Sequence, residues 1–562
     1  MERIGDFFAI VWAVLRLLYW KYWGSEPRRL EKNYGPPNNP KFISAAEAAQ
    51  KIKSGSVVVA SDLGITGWCS AIFKAVVVSF KRVGEPQGLV VEPIAGQGDR
   101  NRGFWSIDRW AEFPGLVSMW ITGHHETFYR ARQAADQGRI KMFCIPQGEF
   151  SQLFAALMKG MDQFLTKVGL KTFMDPRLGP GTRLGGNTTE QFVTVTPDGN
   201  QLCYTCPWPN VAIINATTAD KHGNVSVKRC ALYGEKFAAV MAVKVGNPKP
   251  GIVIVQAAYY VDELASEDIY IPGHLVDYVV IRPETPQAFF YSQRHPFWAL
   301  IPNSGVNSRR ALEVIKWICQ IAKLTPRRTL KDNVVARIVV YLMSKILKIG
   351  DDGNIGVGLA EVVAYWMRRA GLTANLKIKI ESGPEGGTPA PGPFFGGMIG
   401  PTKMYESWEV FADFMKGIAF AVLGALEIDQ KGNVNLSRFG KLVSQFVGPG
   451  GAMTIMHGAR NLFFVMRLHN EKNGAVRFVE KVMEVTFNAD EALRAGKRVF
   501  YVTDFGALEL TENGLKLIAR MPDWTIERIR AVLPFPIIIG QDVEVLPQTV
   551  VTGQCFQLNL EA

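Results

Sequence analysis

The stretch "DKHGNVSVKR" (Asp220–Arg229) returns as "DQKGNVNLSR" (Asp429–Arg438). Each copy follows an apolar run, "VAIINATTA" in the first case and "AFAVLGALEI" in the second. Upstream of each lies a turn of small residues leading into a helical pattern, "SDLGITGW" around Gly64 and "GNIGVGLA" around Gly356. A repeated order of landmarks over such distances predicts two related halves on one chain. The stretch from Gly64 to Asp220 is far longer than that from Gly356 to Asp429, so the first half carries an insertion. Short apolar runs ("SVVVAS", "GIVIVQ", "VDYVVI") alternate with helical stretches ("AAEAAQKIKSG", "EVVAYWMRRAG"), the pattern of largely parallel sheets covered by helices. The expected architecture is α/β: two related open α/β domains in tandem with an N-terminal apolar helix. Residues 1–40 form the helix and the turn-rich linker "NYGPPNNPK", 41–325 the first domain and 326–562 the second, with the helical connector "RALEVIKWICQIAKLTPRRTL" between them. Two such halves commonly form a ligand site in the cleft they share.

At 562 residues, 48% apolar and 20% charged, the chain is an ordinary globular sequence able to bury large cores. The net charge is +12, but Lys and Arg are dispersed and no nucleic-acid motif accompanies them. Nucleic acid is therefore not an expected partner, whereas a phosphorylated small molecule suits a mildly basic surface. Seven cysteines make no disulfide framework and point to a reducing, cytoplasmic setting. Cys203 and Cys206 form one CxxC without the second pair or spaced histidines of a zinc site, so no metal is expected. Phe7 to Trp23 is almost wholly apolar, interrupted by Arg16 and Lys21. As a helix it would reach about 25 Å, short of the roughly 30 Å hydrocarbon core. Asp6 abuts the run and no small-x-small site follows, which argues against a signal peptide. Its Trp, Tyr and flanking basic residues suit a membrane-surface contact through residues 7–23. Docking on the protein body or on a neighbouring subunit fits equally.

In "LKIKIESGPEGGTP" (Leu376–Pro389), Leu376, Ile378 and Ile380 alternate with Lys377, Lys379 and Glu381, as in a half-buried strand. Glu381 stands where that strand ends and a Gly/Pro-rich turn begins, either as a solvated turn residue or as a group presented to a ligand. "GNIGVG" lacks the GxGxxG spacing, and "IGDDG" before it does not read as the strand a dinucleotide site needs. "GPGGAM" (Gly448–Met453) is a tight turn whose consecutive amides could converge on an oxyanion. No GxSxG elbow is present, and the seven histidines lack metal-ligand spacing. What remains is covalent catalysis by a carboxylate, with backbone amides stabilising the tetrahedral intermediate.

These motifs occur in a recognisable order. "GQGD" (96–99), "PQGEFSQL" (146–153), "VGLKTFMDPR" (168–177), "ATTADKHGNVS" (216–226) and "IPGHLVDYVV" (271–280) fall in the first half. "NIGVGLAE", "ESGPEGGTPAPG", "LEIDQKGNVNLSRFG" and "GPGGAM" fall in the second. In these the chain resembles the family I coenzyme A transferases, especially the single-chain acetate or propionate type. The resemblance implies transfer of coenzyme A between a short-chain acyl-CoA and a small carboxylate, by ping-pong kinetics through a glutamyl-CoA thioester on Glu381. It implies an oxyanion site from Asn433 or Asn435 and the amides of Gly451 and Ala452. It further implies a coenzyme loop at Gly356, Val357, Gly358, Leu359 and Ala360, coenzyme contacts at Gly448 and Gly450, and a homo-oligomer. Departures from the family pattern are Ala360 in place of proline, Glu385 in place of an apolar residue, and "MKGIAFA" (415–421) in place of a glycine-rich stretch. Glu385 within about 6 Å of Glu381 would raise the pKa of that carboxyl group or repel an acidic acceptor; otherwise it is an exposed turn residue. The departures leave open an acyl-CoA hydrolase using the same intermediate, or a catalytically silent membrane-associated paralogue.

Overall fold

The computed structural model describes residues 38–560, apart from 61–62, 65, 186–187, 283–285, 289–290, 293–296, 306–307 and 322–327, together with positions 11 and 15. The apolar segment 7–23, read as a helix from sequence, lies outside the described residues except for those two positions, and so does the expected domain boundary near 325. No described helix is long and apolar enough to cross a membrane.

Among the described residues, the first half is built on an eight-stranded sheet. Its main strands are β1 (Val57–Ala60), β2 (Leu89–Pro93), β3 (Val117–Thr122), β4 (Lys141–Cys144), β5 (Val211–Asp220), β6 (Ile252–Val261) and β7 (Tyr278–Ile281). They pair in the order β7-β6-β5-β1-β2-β3-β4, all parallel, with Val225–Ser226 turned back against β5. All ten residues of β5 are buried. A parallel strand covered on both faces needs such a continuous apolar run.

The second sheet comprises β8 (Asp352–Ile355), β9 (Lys377–Ile378), β10 (Ile418–Gly424), β11 (Ala459–Val465), β12 (Arg498–Thr503), β13 (Gly506–Thr511), β14 (Gly514–Arg520) and β15 (Ile538–Val545). Its order is β9-β8-β10-β11-β12-β13-β14-β15, parallel through β12 and then antiparallel through the β12-β13-β14 meander. The two orders superpose if β1, β2, β5, β6 and β7 correspond to β8, β9, β10, β11 and β12. The first half then adds β3 and β4 at one edge, and the second adds β13 to β15 at the other. The insertion expected in the first half includes β3, β4 and a three-stranded sheet of Phe164–Thr166, Leu202–Tyr204 and Val193–Val195.

The repeated decapeptide forms the same clasp twice. Asp220 Oδ1 accepts the N–H groups of His222 and Asn224, both at 2.9 Å, and Asn224 Nδ2 donates to Asp220 Oδ2 at 2.9 Å. Asp429 Oδ1 accepts from Lys431 (3.0 Å) and Asn433 (2.9 Å), and Asn433 Nδ2 donates to Asp429 Oδ2 at 3.1 Å. Gly223 and Gly432 take φ of 80° and 86°, a left-handed turn that disfavours any side chain. Each asparagine carbonyl then pins a distant segment, Asn224 Oδ1 the N–H of Gly273 (2.8 Å) and Asn433 Oδ1 that of Ala489 (3.0 Å).

Helices that position the site are α1 (Gln147–Leu157), α2 (Ser308–Ile321), α3 (Leu330–Ile346), α4 (Ala360–Ala370), α5 (Ser407–Lys416) and α6 (Ala452–Gly458). One large hydrophobic core runs through both sheets, and a smaller one gathers Leu312 and Ile315 of α2 with Phe394 and Ile399.

Candidate functional site

The first half sends its loops out from the carboxyl ends of β2, β3 and β4, carrying Arg100, His124 and Gln147. The second half does so from β8, β9, β10 and β11, carrying Gly356, Glu381, Ala425 and Arg467. In open α/β sheets this is the end where ligands bind. The two sets meet directly: the N–H groups of His125 and Glu126 donate to Val447 O at 3.0 Å, Gln147 N–H to Gly450 O at 2.9 Å, and Gly450 N–H to Gly123 O at 3.0 Å.

Between them lies a cleft of about 610 Å³, within the usual range for small-molecule sites. Glu381 lines it. The alternation read from sequence holds locally: Leu376, Ile378 and Ile380 are buried, and the register ends in a Lys379–Glu385 bridge that turns the chain at Glu381. Glu381 is half-buried, and desolvation of its carboxyl group pushes its pKa up from the ordinary carboxylate value. Asn354, at the end of β8, opposes the shift by donating from Nδ2 to Glu381 Oε2 at 3.4 Å; the same amide reaches Lys379 O at 3.1 Å.

Gly451 sits against the nucleophile candidate. A Cβ there would come within 3.5 Å of Glu381 Cβ and 2.7 Å of the Phe411 ring, so glycine is required by the close approach of α5. Its N–H finds no acceptor among the described residues, whereas the N–H of Ala452 donates to Pro449 O at 3.0 Å. Of the two amides expected to hold an oxyanion, Gly451 is thus the available one. The expectation that Ala452 also donates is corrected: the turn consumes its N–H, although the residue still lines the cleft.

Gly356, Val357, Gly358, Leu359, Gly448 and Gly450 all line the cleft. Ala360 does not; it is wholly buried in the core as the first residue of α4. Asn433 is a second correction. Its side chain is taken up by Asp429 and Ala489 and does not line the cleft, and Asn435 is likewise bound to Glu427 and to the backbone of Arg438. Glu385, the unusual second carboxylate, pairs with Lys379 (3.2 Å) and Lys403 (3.7 Å), lies off the cleft and makes no contribution to the shift at Glu381.

Sequence reasoning singled out neither Gln147, His124 nor Asn354 as a site residue. Gln147 is buried, with both side-chain polar atoms unpartnered, and its Oε1 lies 4.0 Å from where a Gly450 Cβ would stand. His124 lines the cleft and stacks on Phe395 at 5.8 Å, and burial pushes its pKa down to about 4, so the ring is neutral at physiological pH. The signal that could have found the two first-half residues is positional, since each follows a parallel strand. Farther out, Arg328 pairs with Glu361, and Arg467 with Asp332 and Glu471. Arg477 lines the same space with no paired carboxylate among the described residues. No group of three His, Cys, Asp or Glu side chains among the described residues is placed to hold a metal ion.

A tandem α/β scaffold with loops from both halves meeting at one cleft defines a class, and comparison with known proteins gives the family. Residues 42–282 match the coenzyme A transferase family. The chain is 30% identical over 510 residues to a caffeate CoA-transferase of Acetobacterium woodii, an alignment covering 87% of this chain and 93% of that one. It is 27% identical over 511 residues to the acetate CoA-transferase YdiF of Escherichia coli K12, covering 86% and 90%. The solved acyl-CoA transferase YdiF of E. coli O157:H7, in thioester complex with CoA, shares the fold with a TM-score of 0.80 at 24% identity, covering 93% of this chain and 98% of that one. The fold is therefore that of the single-chain acyl-CoA transferases. The chain belongs to the family I coenzyme A transferases, and it is an enzyme that moves coenzyme A between an acyl-CoA and a carboxylate.

Proposed function

We propose that Glu381 carries the transfer as a covalent nucleophile. A Glu381 oxygen attacks the thioester carbonyl of the donor, the C–S bond breaks, and CoA thiolate leaves a mixed anhydride. The thiolate then attacks the Glu381 carbonyl carbon, releasing the donor acid as its carboxylate and leaving a glutamyl-CoA thioester. The acceptor carboxylate reverses both steps and departs as the new acyl-CoA. No proton is transferred in any step, so a neutral His124 is compatible with the chemistry. A carboxylate is a weak nucleophile, and much of the rate must come from holding it against the bound thioester.

One observation carries this reading: Glu381 is half-buried at the cleft without a salt-bridge partner among the described residues, unlike Asp332 and Glu361, with the Asn354 amide on one oxygen and the unoccupied Gly451 N–H beside it. Gly451 would receive the developing oxyanion. The loop Gly356–Leu359 and the turn Gly448–Ala452 would flank the coenzyme, and Arg467 and Arg477 would meet its phosphates. The names of the relatives suggest acetate-like or larger carboxylic acids as partners. Residues 7–23 are read as a surface anchor from their sequence alone; removing residues 1–30 is expected to leave transfer intact and abolish flotation with liposomes.

Incubation with acetyl-CoA, followed by intact-mass measurement and peptide mapping, is expected to show a CoA adduct on the peptide containing Glu381. An adduct elsewhere, or none with any acyl-CoA, refutes the assignment. Partition of label from the adduct between an added carboxylate and water then separates transferase from hydrolase.

A further inference from the structure

A second space also touches Glu381. A neck of about 10 Å³ runs between Ile355, Ile380, Ala390 and Gly397. Pro389 and Glu361 line this neck and also line a slot of about 140 Å³, whose apolar walls are Leu312 and Cys319 of α2, Val362 and Tyr365 of α4, and Pro391. Protein interiors leave few voids larger than a water molecule, and apolar cavities that do persist take apolar guests; one of about 150 Å³ admits benzene. The walls are fixed. The Glu361 carboxylate is held by Arg328 and by the Gly392 N–H at 3.0 Å, and the Lys316 ammonium lies over the Tyr365 ring. The slot is therefore not a place that the Glu361 side chain is free to fill.

Resting on the reading of Glu381 as the nucleophile, we propose that this slot receives the hydrocarbon end of the acyl group. The neck holds about one water-sized sphere and is the constriction an unbranched chain has to widen, and the slot beyond has room for about one six-carbon unit. The acids served would then include unbranched chains of about six carbons, and aryl groups on a two-carbon spacer, alongside short-chain acids. Because donor acid and acceptor acid occupy the site in turn, the same slot sets selectivity in both half-reactions. Val362 and Leu312 become specificity-determining residues that touch neither coenzyme nor reacting atoms.

The test is kcat/KM for acetyl-, butanoyl-, hexanoyl- and 3-phenylpropanoyl-CoA against a common acceptor, in the wild type and in Val362→Phe and Leu312→Phe. Wild-type kcat/KM is expected to rise about tenfold or more from acetyl to hexanoyl. The filling variants are expected to lose about tenfold or more with hexanoyl- and 3-phenylpropanoyl-CoA, and less than about threefold with acetyl-CoA. A flat wild-type profile, or equal losses for all donors, overturns the proposal. If neither filling variant folds, Val362→Ala decides: the preferred chain lengthens if the slot is used, and an unchanged profile overturns it. Failure of the slot leaves the acetyl-derived adduct on Glu381 intact, whereas failure of the nucleophile assignment removes the adduct itself.

Discussion

The two halves carry one clasp and two different loops. Asp220 with Asn224, and Asp429 with Asn433, repeat the same turn, down to the distant N–H that each asparagine pins, and Asp220 alone also accepts the Leu264 N–H. The loops beside them diverge. Three residues past the end of β2 the first half places Gly96, and three residues past the end of the corresponding β9 the second half places Glu381. Where the halves agree the residues maintain the fold, and where they differ lies the carboxylate to which the chemistry is assigned by proposal. That contrast explains why Asn433 drops out of the site: its counterpart Asn224 makes the same bonds in a half that has glycine at the position of Glu381.

The sharpest way to break the comparison is Glu381→Gln. The substitution keeps size and polarity and removes the nucleophilic oxygen. Transfer is expected to fall by about a thousandfold or more, with no CoA adduct by mass spectrometry. Retained adduct formation would move the chemistry to another residue. Next in size is Gly451→Ala. The added methyl meets the Phe411 ring at 2.7 Å, so the turn must shift and the free N–H with it. A loss of about a hundredfold in kcat, with KM for acyl-CoA less affected, is expected for a displaced oxyanion donor.

Asn354→Ala tests electrostatics in the same half. Glu381 must be ionised to attack, burial raises its pKa, and the Asn354 amide opposes that rise. Removing the amide raises the pKa further, so the acid limb of kcat/KM against pH is expected to move to higher pH. The loss near neutrality is about tenfold and shrinks as pH rises. A uniform loss at every pH would make Asn354 a purely geometric support.

Much of this contrast was legible in the sequence, and the reasons for the rest are physical. The tandem halves, the insertion, the "LKIKIE" alternation and the glycine turns are local patterns of spacing and conformation, and they stand where expected. Asn433 was misread because an asparagine near a site looks alike whether it faces a ligand or closes its own turn. Ala360 was misread because a loop motif does not say where its helix begins. His124 reaches the cleft from the other half, and Gln147 stands behind Gly450, through sheet order and a meeting of loops that no local window contains. Asn354 reaches it across neighbouring parallel strands, because Gly353 of β8 is paired with Ile378 of β9.

The clasps can be compared directly. Asn224→Ala and Asn433→Ala each remove one side-chain bond to an aspartate and one to a backbone N–H, so matched losses of about 1–3 kcal/mol by denaturant unfolding are expected. Asn433→Ala, refolded and saturated with acetyl-CoA, is still expected to form the Glu381 adduct at a rate within about threefold of wild type. A much slower adduct with unchanged stability would return Asn433 to the oxyanion site.

The smallest effect concerns how the halves are joined. Each offers the other a buried carboxyl group: Glu149 of α1 accepts the Thr454 hydroxyl of α6 at 2.6 Å, and Glu406, just before α5, accepts the N–H groups of Phe237 and Ala238 and the hydroxyl of Tyr270. Burial pushes both up to about 7 from an ordinary value of 4.5. Between those limits the folded state holds protons that the unfolded chain has released, so stability falls as pH rises through that window and levels off above about 7. One group contributes at most about 1.4 kcal/mol per pH unit. Glu149→Gln keeps an oxygen for Thr454 and cannot ionise. Its Tm relative to wild type is therefore expected to rise by a few degrees between pH 5 and pH 8, as the wild type loses stability that the variant keeps. Glu406 still titrates in the variant, so the pH slope should flatten without vanishing. A slope unchanged by the substitution would mean that Glu149 stays ionised at the junction and that Glu406 alone makes the contact between the halves sensitive to pH.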